Sequence, residues 1–180
     1  FVEKRIKGIS FDSRNVNPGD AFFAIQGYNF DGNQFIEEAL RKGASLIFTD
    51  NKSNTLHADK VIYVQDARMS LAIAAGILYP KRPDNIIAVT GTNGKSSVVS
   101  YVHQILSLLG KTSACMGTLG LESNTKLIGD LNNIETSSQT TIDPVSFRRI
   151  LNILEESGVE NVALEASSNG LDQKRLGNIH

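Results

Sequence analysis

The run Ile86-Ile87-Ala88-Val89-Thr90-Gly91-Thr92-Asn93-Gly94-Lys95-Ser96-Ser97 constrains this chain more than any other stretch. Its β-branched, apolar opening predicts a buried strand. A turn bracketed by glycines follows. Val98, Val99, Val102, Ile105, Leu106 and Leu109 then recur at helical spacing. Strand, glycine-rich turn ending in Gly-Lys-Ser, then helix is the context of a phosphate-binding loop. Backbone N–H groups in such a turn converge, and the helix N-terminus adds positive potential. Lys95 is placed to reach β- and γ-phosphates, and the Ser96 hydroxyl to ligate Mg2+. The general pattern asks for a glycine where Val89 stands; here the additional glycine is Gly91. The competing reading is a plain strand-to-helix turn with a solvated lysine.

The rest of the chain predicts an α/β protein. Lys7 to Phe11 and Ala21 to Ile25 are apolar strand runs, separated by the turn signal Asn17-Pro18-Gly19-Asp20. Gln26 to Asn33 is a polar loop. Phe35, Ile36, Ala39 and Leu40 mark a helix that Gly43 terminates. Ser45 to Phe48 and Val61 to Val64 predict strands, and Leu71 to Leu78 a helix. Pro80 and Pro83 form a linker, which sets expected domains at 1–83 and 84–180. Beyond the phosphate-loop helix, Gly110 is a helix stop and Lys111 to Met116 a strand. Gly117 to Gln139 is a loop around a hairpin. Phe147, Ile150, Leu151 and Leu154 form a helical stripe, and Val162 to Ala166 a buried strand. Strands alternating with helices predict a mostly parallel sheet covered on both faces.

With 18 basic and 19 acidic residues the formal charge is -1, which gives no electrostatic case for nucleic acid or an acidic membrane as partner. The apolar run Leu71 to Tyr79 is too short to span a bilayer, and no signal-peptide pattern opens the sequence. Cys115 is the only cysteine, so no internal disulfide forms and a reducing compartment is expected. Alone, it is a small core residue rather than a nucleophile.

Three further stretches carry chemistry. Glu165 ends the apolar strand Val162-Ala163-Leu164, where a buried carboxylate costs several kcal/mol unless paired or metal-bound. The carboxyl ends of strands line the ligand crevice of open α/β sheets. Glu165 is therefore either a second Mg2+ ligand facing Ser96 across that edge or a carboxylate in solvent at a frayed strand end. In Thr140-Thr141-Ile142-Asp143-Pro144, Asp143 is a helix cap with Pro144 at the first position, which leaves two hydroxyls for a polar ligand. The polar stretch Ser167 to Arg175 ends in a cation able to grip a phosphate or carboxylate, or is an ordinary solvated loop.

Taken together, these stretches resemble the Mur ligases, cytoplasmic bacterial enzymes that add amino acids to the peptidoglycan precursor. Thr90-Gly91-Thr92-Asn93-Gly94-Lys95-Ser96 resembles their nucleotide loop, which accounts for the missing glycine at 89. Asp12-Ser13-Arg14, Pro18-Gly19-Asp20 and Asp31-Gly32 resemble the N-terminal domain shared by the third- and fourth-residue ligases. Thr140 to Pro144 and Glu165-Ala166-Ser167-Ser168 are similar to the third-residue enzymes.

The resemblance implies a small N-terminal α/β domain followed by the first part of a P-loop ATPase domain. It implies that Phe11 and Ser13, with Tyr28, Asn29 and Phe30, hold the uridine diphosphate end of a UDP-N-acetylmuramoyl-dipeptide. Thr140, Thr141, Ser167, Gln173 and Arg175 would hold its muramoyl-peptide end. Gly91, Thr92, Asn93, Gly94, Lys95, Ser96 and Ser97 would hold ATP, and Ser96 and Glu165 would hold Mg2+. Lys95 and Glu165 would be the catalytic residues. The implied reaction is amide formation: a D-glutamyl carboxylate attacks the γ-phosphate, and the amine of a free amino acid, diaminopimelate or lysine, displaces phosphate from the acyl phosphate. A monomer is expected.

Departures from the pattern are Gln139 for an asparagine, Ile142 for a proline, Asn169 for a histidine, and Ser96-Ser97 for two threonines. The family's carbamylated lysine, its downstream metal-binding histidine and its C-terminal domain have no counterpart in these residues. The 180 residues alone are thus expected to fold in their first domain, to bind the uridine-containing substrate and not to catalyse. The alternatives are another Mur-like ligase, of the fourth-residue or folylpolyglutamate type, or a non-catalytic nucleotide-sugar-binding module.

Overall fold

The computed structural model describes residues 6–27, 30–52, 59–129 and 140–177. The chain divides into two compact units, residues 1–74 and 75–180. In the first, strands β1 (Ile9–Ser10), β2 (Ala21–Ala24), β3 (Leu46–Thr49) and β4 (Val61–Tyr63) form an all-parallel sheet in chain order. Helix α1 (Ile36–Arg41) lays Ile36 and Ala39 against Phe22, Ala24, Ile47 and Val61. Phe23 and Phe48, the alternate residues of β2 and β3, stack with ring centroids 4.8 Å apart. The β2 run is buried throughout, as expected of a strand covered on both faces.

Helix α2 (Ala67–Leu78) starts four residues before the expected Leu71. Asp66 caps it, accepting from Met69 N at 2.9 Å, a signal that an apolar-run reading does not weigh. The division between the units falls inside α2, ahead of Pro80 and Pro83. The reason is local. Lys81 N donates to Asn152 Oδ1 at 3.2 Å and Lys81 Nζ pairs with Glu156 at 3.2 Å, so the proline segment is tied to the second unit.

The second unit holds β5 (Asn85–Val89), α3 (Lys95–Leu108), β6 (Ser113–Gly117), β7 (Gly120–Ser123), α4 (Pro144–Glu156), β8 (Asn161–Glu165) and the short α5 (Ser168–Asp172). Its sheet order is β5-β8-β6-β7, parallel except for the β6–β7 hairpin. Strand alternation sorts the faces. Val162 and Leu164 of β8 pack with Ala114 and Met116 of β6 and with Phe147, Ile150, Leu151 and Leu154 of α4. Ala163 and Cys115 pack with Val99 of α3. The helices thus cover both faces, which matches the α/β reading. β6 begins at Ser113 rather than Lys111, because Lys111 N still bonds Leu106 O at 2.9 Å in the closing turn of α3. Asp143 caps α4, accepting from Val145 N and Ser146 N at 2.9 Å, with Pro144 in the first turn. Part of the expected 117–139 loop, including Gln139, lies outside the described residues.

Candidate functional site

The site grows from the pairing of β5 with β8. Val89 lies opposite Glu165, and Ala166 N donates to Val89 O at 2.8 Å. The phosphate-loop candidate leaves β5 at this edge. Gly91 has φ 145° and Gly94 φ 81°, both in the region that L side chains avoid. Gly94 is also the N-cap residue of α3. Gly91, Thr92, Asn93, Gly94 and Ser97 are exposed, and Lys95 and Ser96 half-buried. Lys95 Nζ donates to the carbonyls of Gly91 at 2.9 Å and Thr92 at 3.4 Å, which holds the ammonium in the mouth of the loop.

Glu165 is 4% exposed. Alternation along β8 turns it to the same face as Ala163, the face that α3 covers. Ser96 Oγ, in the first turn of α3, donates to Glu165 Oε1 at 2.8 Å. Thr118 N donates to the same oxygen at 3.0 Å, and Thr118 Oγ1 to Oε2 at 3.3 Å. Among the described residues no cationic side chain pairs with this carboxylate. The donor set around it, one carboxylate with serine and threonine hydroxyls, consists of hard oxygens and suits Mg2+. Gly117 keeps the cradle open: a Cβ there would come within 2.2 Å of Glu165 Oε1.

Thr140, Thr141, Ser167, Gln173 and Arg175 form a second cluster, contiguous with the first. Thr141 Oγ1 donates to Glu165 O at 3.2 Å. Its one hydrogen is then spent, so Ser167 N at 2.9 Å and the Ser167 hydroxyl at 3.0 Å donate to it. Ser167 caps α5, accepting from Gly170 N at 3.0 Å. Arg175 Nε and Nη2 donate to Gln173 Oε1 at 3.0 and 2.8 Å, and Nη1 to Thr141 O. Thr118 Oγ1 approaches Thr140 Oγ1 at 3.1 Å and joins the two clusters.

The remaining candidates belong to the first unit. Phe11 follows β1 and is 41% exposed; Phe30, in the loop after β2, is 73% exposed. Ser13 is buried and donates to Glu38 Oε2 at 2.9 Å. Arg14 forks onto Asp12 at 2.6–3.1 Å and holds its carboxyl below the usual carboxylate range. Tyr28 and Asn29 lie outside the described residues.

Sequence reasoning missed Gly117, Thr118 and Gly170. A glycine ending a strand beside the strand of a buried carboxylate was the available signal for Gly117, since such glycines mark close approach. Gly170 does the same for α5, where a Cβ would meet Thr141 Cβ at 2.5 Å.

Comparison with known proteins agrees with this architecture. Residues 5–92 match the profile described as Mur ligase family, catalytic domain, and residues 89–180 that of the Mur ligase middle domain. The UDP-N-acetylmuramoyl-L-alanyl-D-glutamate–2,6-diaminopimelate ligase of Rickettsia felis is 51% identical over 181 residues, 99% of this chain and 33% of that protein. A solved structure of a ligase of the same name superposes with TM-score 0.74 at 29% identity, covering 94% of this chain and 33% of the other. The MurF ligase of Thermotoga maritima in complex with ADP gives TM-score 0.56 at 25% identity, covering 98% of this chain and 36% of the other. The chain spans about a third of the length of the curated relatives it matches. Among the described residues no helix is long and apolar enough to cross a membrane. With residues 5–180 matched in order by the two profiles, the chain belongs to the Mur ligase family.

Proposed function

We propose that this chain supplies the UDP-substrate-binding and nucleotide-binding portion of an ATP-dependent amide ligase of peptidoglycan synthesis. The ligase adds a diamino acid to UDP-N-acetylmuramoyl-L-alanyl-D-glutamate. The observation that carries the reading is the 2.8 Å bond from Ser96 to Glu165, at the mouth of a loop bearing Lys95. Gly91 to Ser97 bind the ATP phosphates through converging N–H groups and the α3 N-terminus. Lys95 neutralises charge on the phosphoryl group being transferred. Ser96 and Glu165 hold Mg2+, which, when bound, screens the triphosphate and polarises its γ-phosphoryl group. Thr140, Thr141, Ser167, Gln173 and Arg175 orient the muramoyl-peptide carboxylate beside that phosphoryl group.

Phe11, Ser13, Tyr28, Asn29 and Phe30 hold the uridine diphosphate end, with the functional boundary at Pro80–Pro83. The two exposed phenylalanine rings offer stacking faces for a base. The relatives' shared name supports diaminopimelate over lysine as the added residue. A soluble precursor and ATP place the reaction in the cytoplasm, and we expect a monomer. The test is a ligation assay in a protein of the relatives' full length carrying this sequence. It is run with ATP, Mg2+, the muramoyl-dipeptide nucleotide and each amino acid in turn. ATP-dependent product with diaminopimelate is expected; product with lysine alone corrects the specificity, and no ATP-dependent product overturns the reading.

A further inference from the structure

We propose that His103, Cys115 and Glu122 form a site for a soft divalent cation of the zinc class, built from ligands other than those of the proposed Mg2+ site. A ring nitrogen of His103, Cys115 Sγ and a Glu122 carboxylate oxygen lie within 4.8 Å of one another. Three elements build the trio. Cys115 and Glu122 are directly opposed residues of the β6–β7 hairpin and so share a face. Sγ lies 3.8 Å from Glu122 Oε2. Helix α3 covers that face with Val99, and His103 follows one turn later on the same stripe.

Ser113 holds the histidine ring, its Oγ lying 2.8 Å from His103 Nδ1. In the tautomer with Nδ1–H donating to that hydroxyl, Nε2 carries the free lone pair, the arrangement that metal-bound imidazoles take. A nitrogen, a sulfur and a carboxylate oxygen are the zinc donor set. Zinc bonds of about 2.0–2.3 Å put ligands roughly 3.3–3.8 Å apart in a tetrahedron, so a closure of at most about 1.0–1.5 Å between ligand atoms, within reach of side-chain rotation, completes the site.

A cleft bordered by Ser96, Gly117, Gly120 and Glu165 reaches Cys115 and Glu122, so the trio opens onto the cleft of the proposed Mg2+ site and has an entry path through it. Burial, and then the Glu122 charge, push the Cys115 thiol up to about 11. Ligation therefore displaces the thiol proton that the free site donates to Glu122.

Titration of the chain with Zn2+ in excess Mg2+ tests this, since Mg2+ saturates hard-oxygen sites. One equivalent should bind, and Cys115→Ser and His103→Ala should each weaken binding by about a hundredfold or more. Co2+ in place of Zn2+ should give a thiolate charge-transfer band that Cys115→Ser abolishes. A third readout needs no variant. Cys115 is the only cysteine, so Zn2+ should slow its alkylation in the native chain. Zn2+ affinity unchanged in both variants, a Co2+ complex without the thiolate band, or alkylation indifferent to Zn2+ would each overturn the proposal.

Discussion

The two units carry the same kind of sheet edge and use it differently. In the first, the strand order follows the chain, β1-β2-β3-β4, and the polar groups at the carboxyl ends are settled pair by pair. Asp12 holds Arg14, Ser13 bonds Glu38, and Thr49 bonds Asn33 at 2.6 Å. In the second, β8 is inserted between β5 and β6, and the connections α3 and α4 run on opposite faces. That insertion brings Ser96, Thr118, Thr140 and Thr141 around Glu165, although they are far apart in sequence. A sheet wound in sequence order supplies a ledge; a sheet wound out of order supplies a crevice where distant hydroxyls converge on one carboxylate.

The largest expected effect tests the crevice. In a protein of full family length, Lys95→Ala should abolish turnover and weaken ATP binding by about 1.5–3 kcal/mol, as loss of a charge-assisted phosphate contact requires. Ligation assay and calorimetry check both, and wild-type values would reduce Gly91–Ser97 to a turn. Gly117→Ala comes next. Its Cβ would sit 2.2 Å from Glu165 Oε1, so the carboxylate must leave Ser96. Turnover should fall about 100- to 1,000-fold, the usual range for losing one preorganised electrostatic group, while thermal stability of the first unit stays unchanged.

A buried charge outside both edges should respond in the opposite direction. Arg148 on α4 is buried, its Nε and Nη1 have no partner among the described residues, and burial and then Arg82 depress its pKa. Arg148→Met should be neutral or stabilise the chain by up to about 1–3 kcal/mol in chemical denaturation. In the first unit, Ser13→Ala removes the hydrogen bond to Glu38 and should cost about 0.5–1.5 kcal/mol while leaving ATP affinity unchanged.

The smallest effect is on pH dependence. Arg14 lowers the Asp12 pKa, and Ser13 with Lys42 lowers that of Glu38. Lowered carboxyls stabilise the fold above their ordinary values of 3.8 and 4.5, and that contribution fades as pH falls through the native values. Acid titration of the first unit's melting should show this loss, and Arg14→Ala should reduce it.

The parts of the molecule written locally were legible in the sequence. The Asp143-Pro144 cap and the α4 stripe each act within a few residues, and each appears as read, whereas the run 86–89 forms a strand but not the buried one expected, because β5 lies at the edge of its sheet and leaves Ile87 40% exposed. The start of α2 was misjudged because its signal is a capping aspartate rather than an apolar period. The environment of Glu165 was open between metal site and solvent for a different reason. Its surroundings depend on β8 entering between β5 and β6, and no local pattern encodes that insertion. Gly117 and Thr118 were missed with it, since only the neighbouring strand gives them a role. Cys115 was rightly placed in a core, yet its partners His103 and Glu122 come from separate elements that spacing alone does not join.

The central claim is that Ser96 and Glu165 form the Mg2+-dependent half of a nucleotide site. ADP affinity of the chain, measured by calorimetry with and without Mg2+ for the wild type and for Glu165→Gln, tests it most directly. Mg2+ should tighten ADP binding to the wild type, and Glu165→Gln should lose that tightening while keeping the Mg2+-free affinity, because Lys95 and the loop N–H groups remain. Mg2+ tightening of equal size in Glu165→Gln would contradict the account.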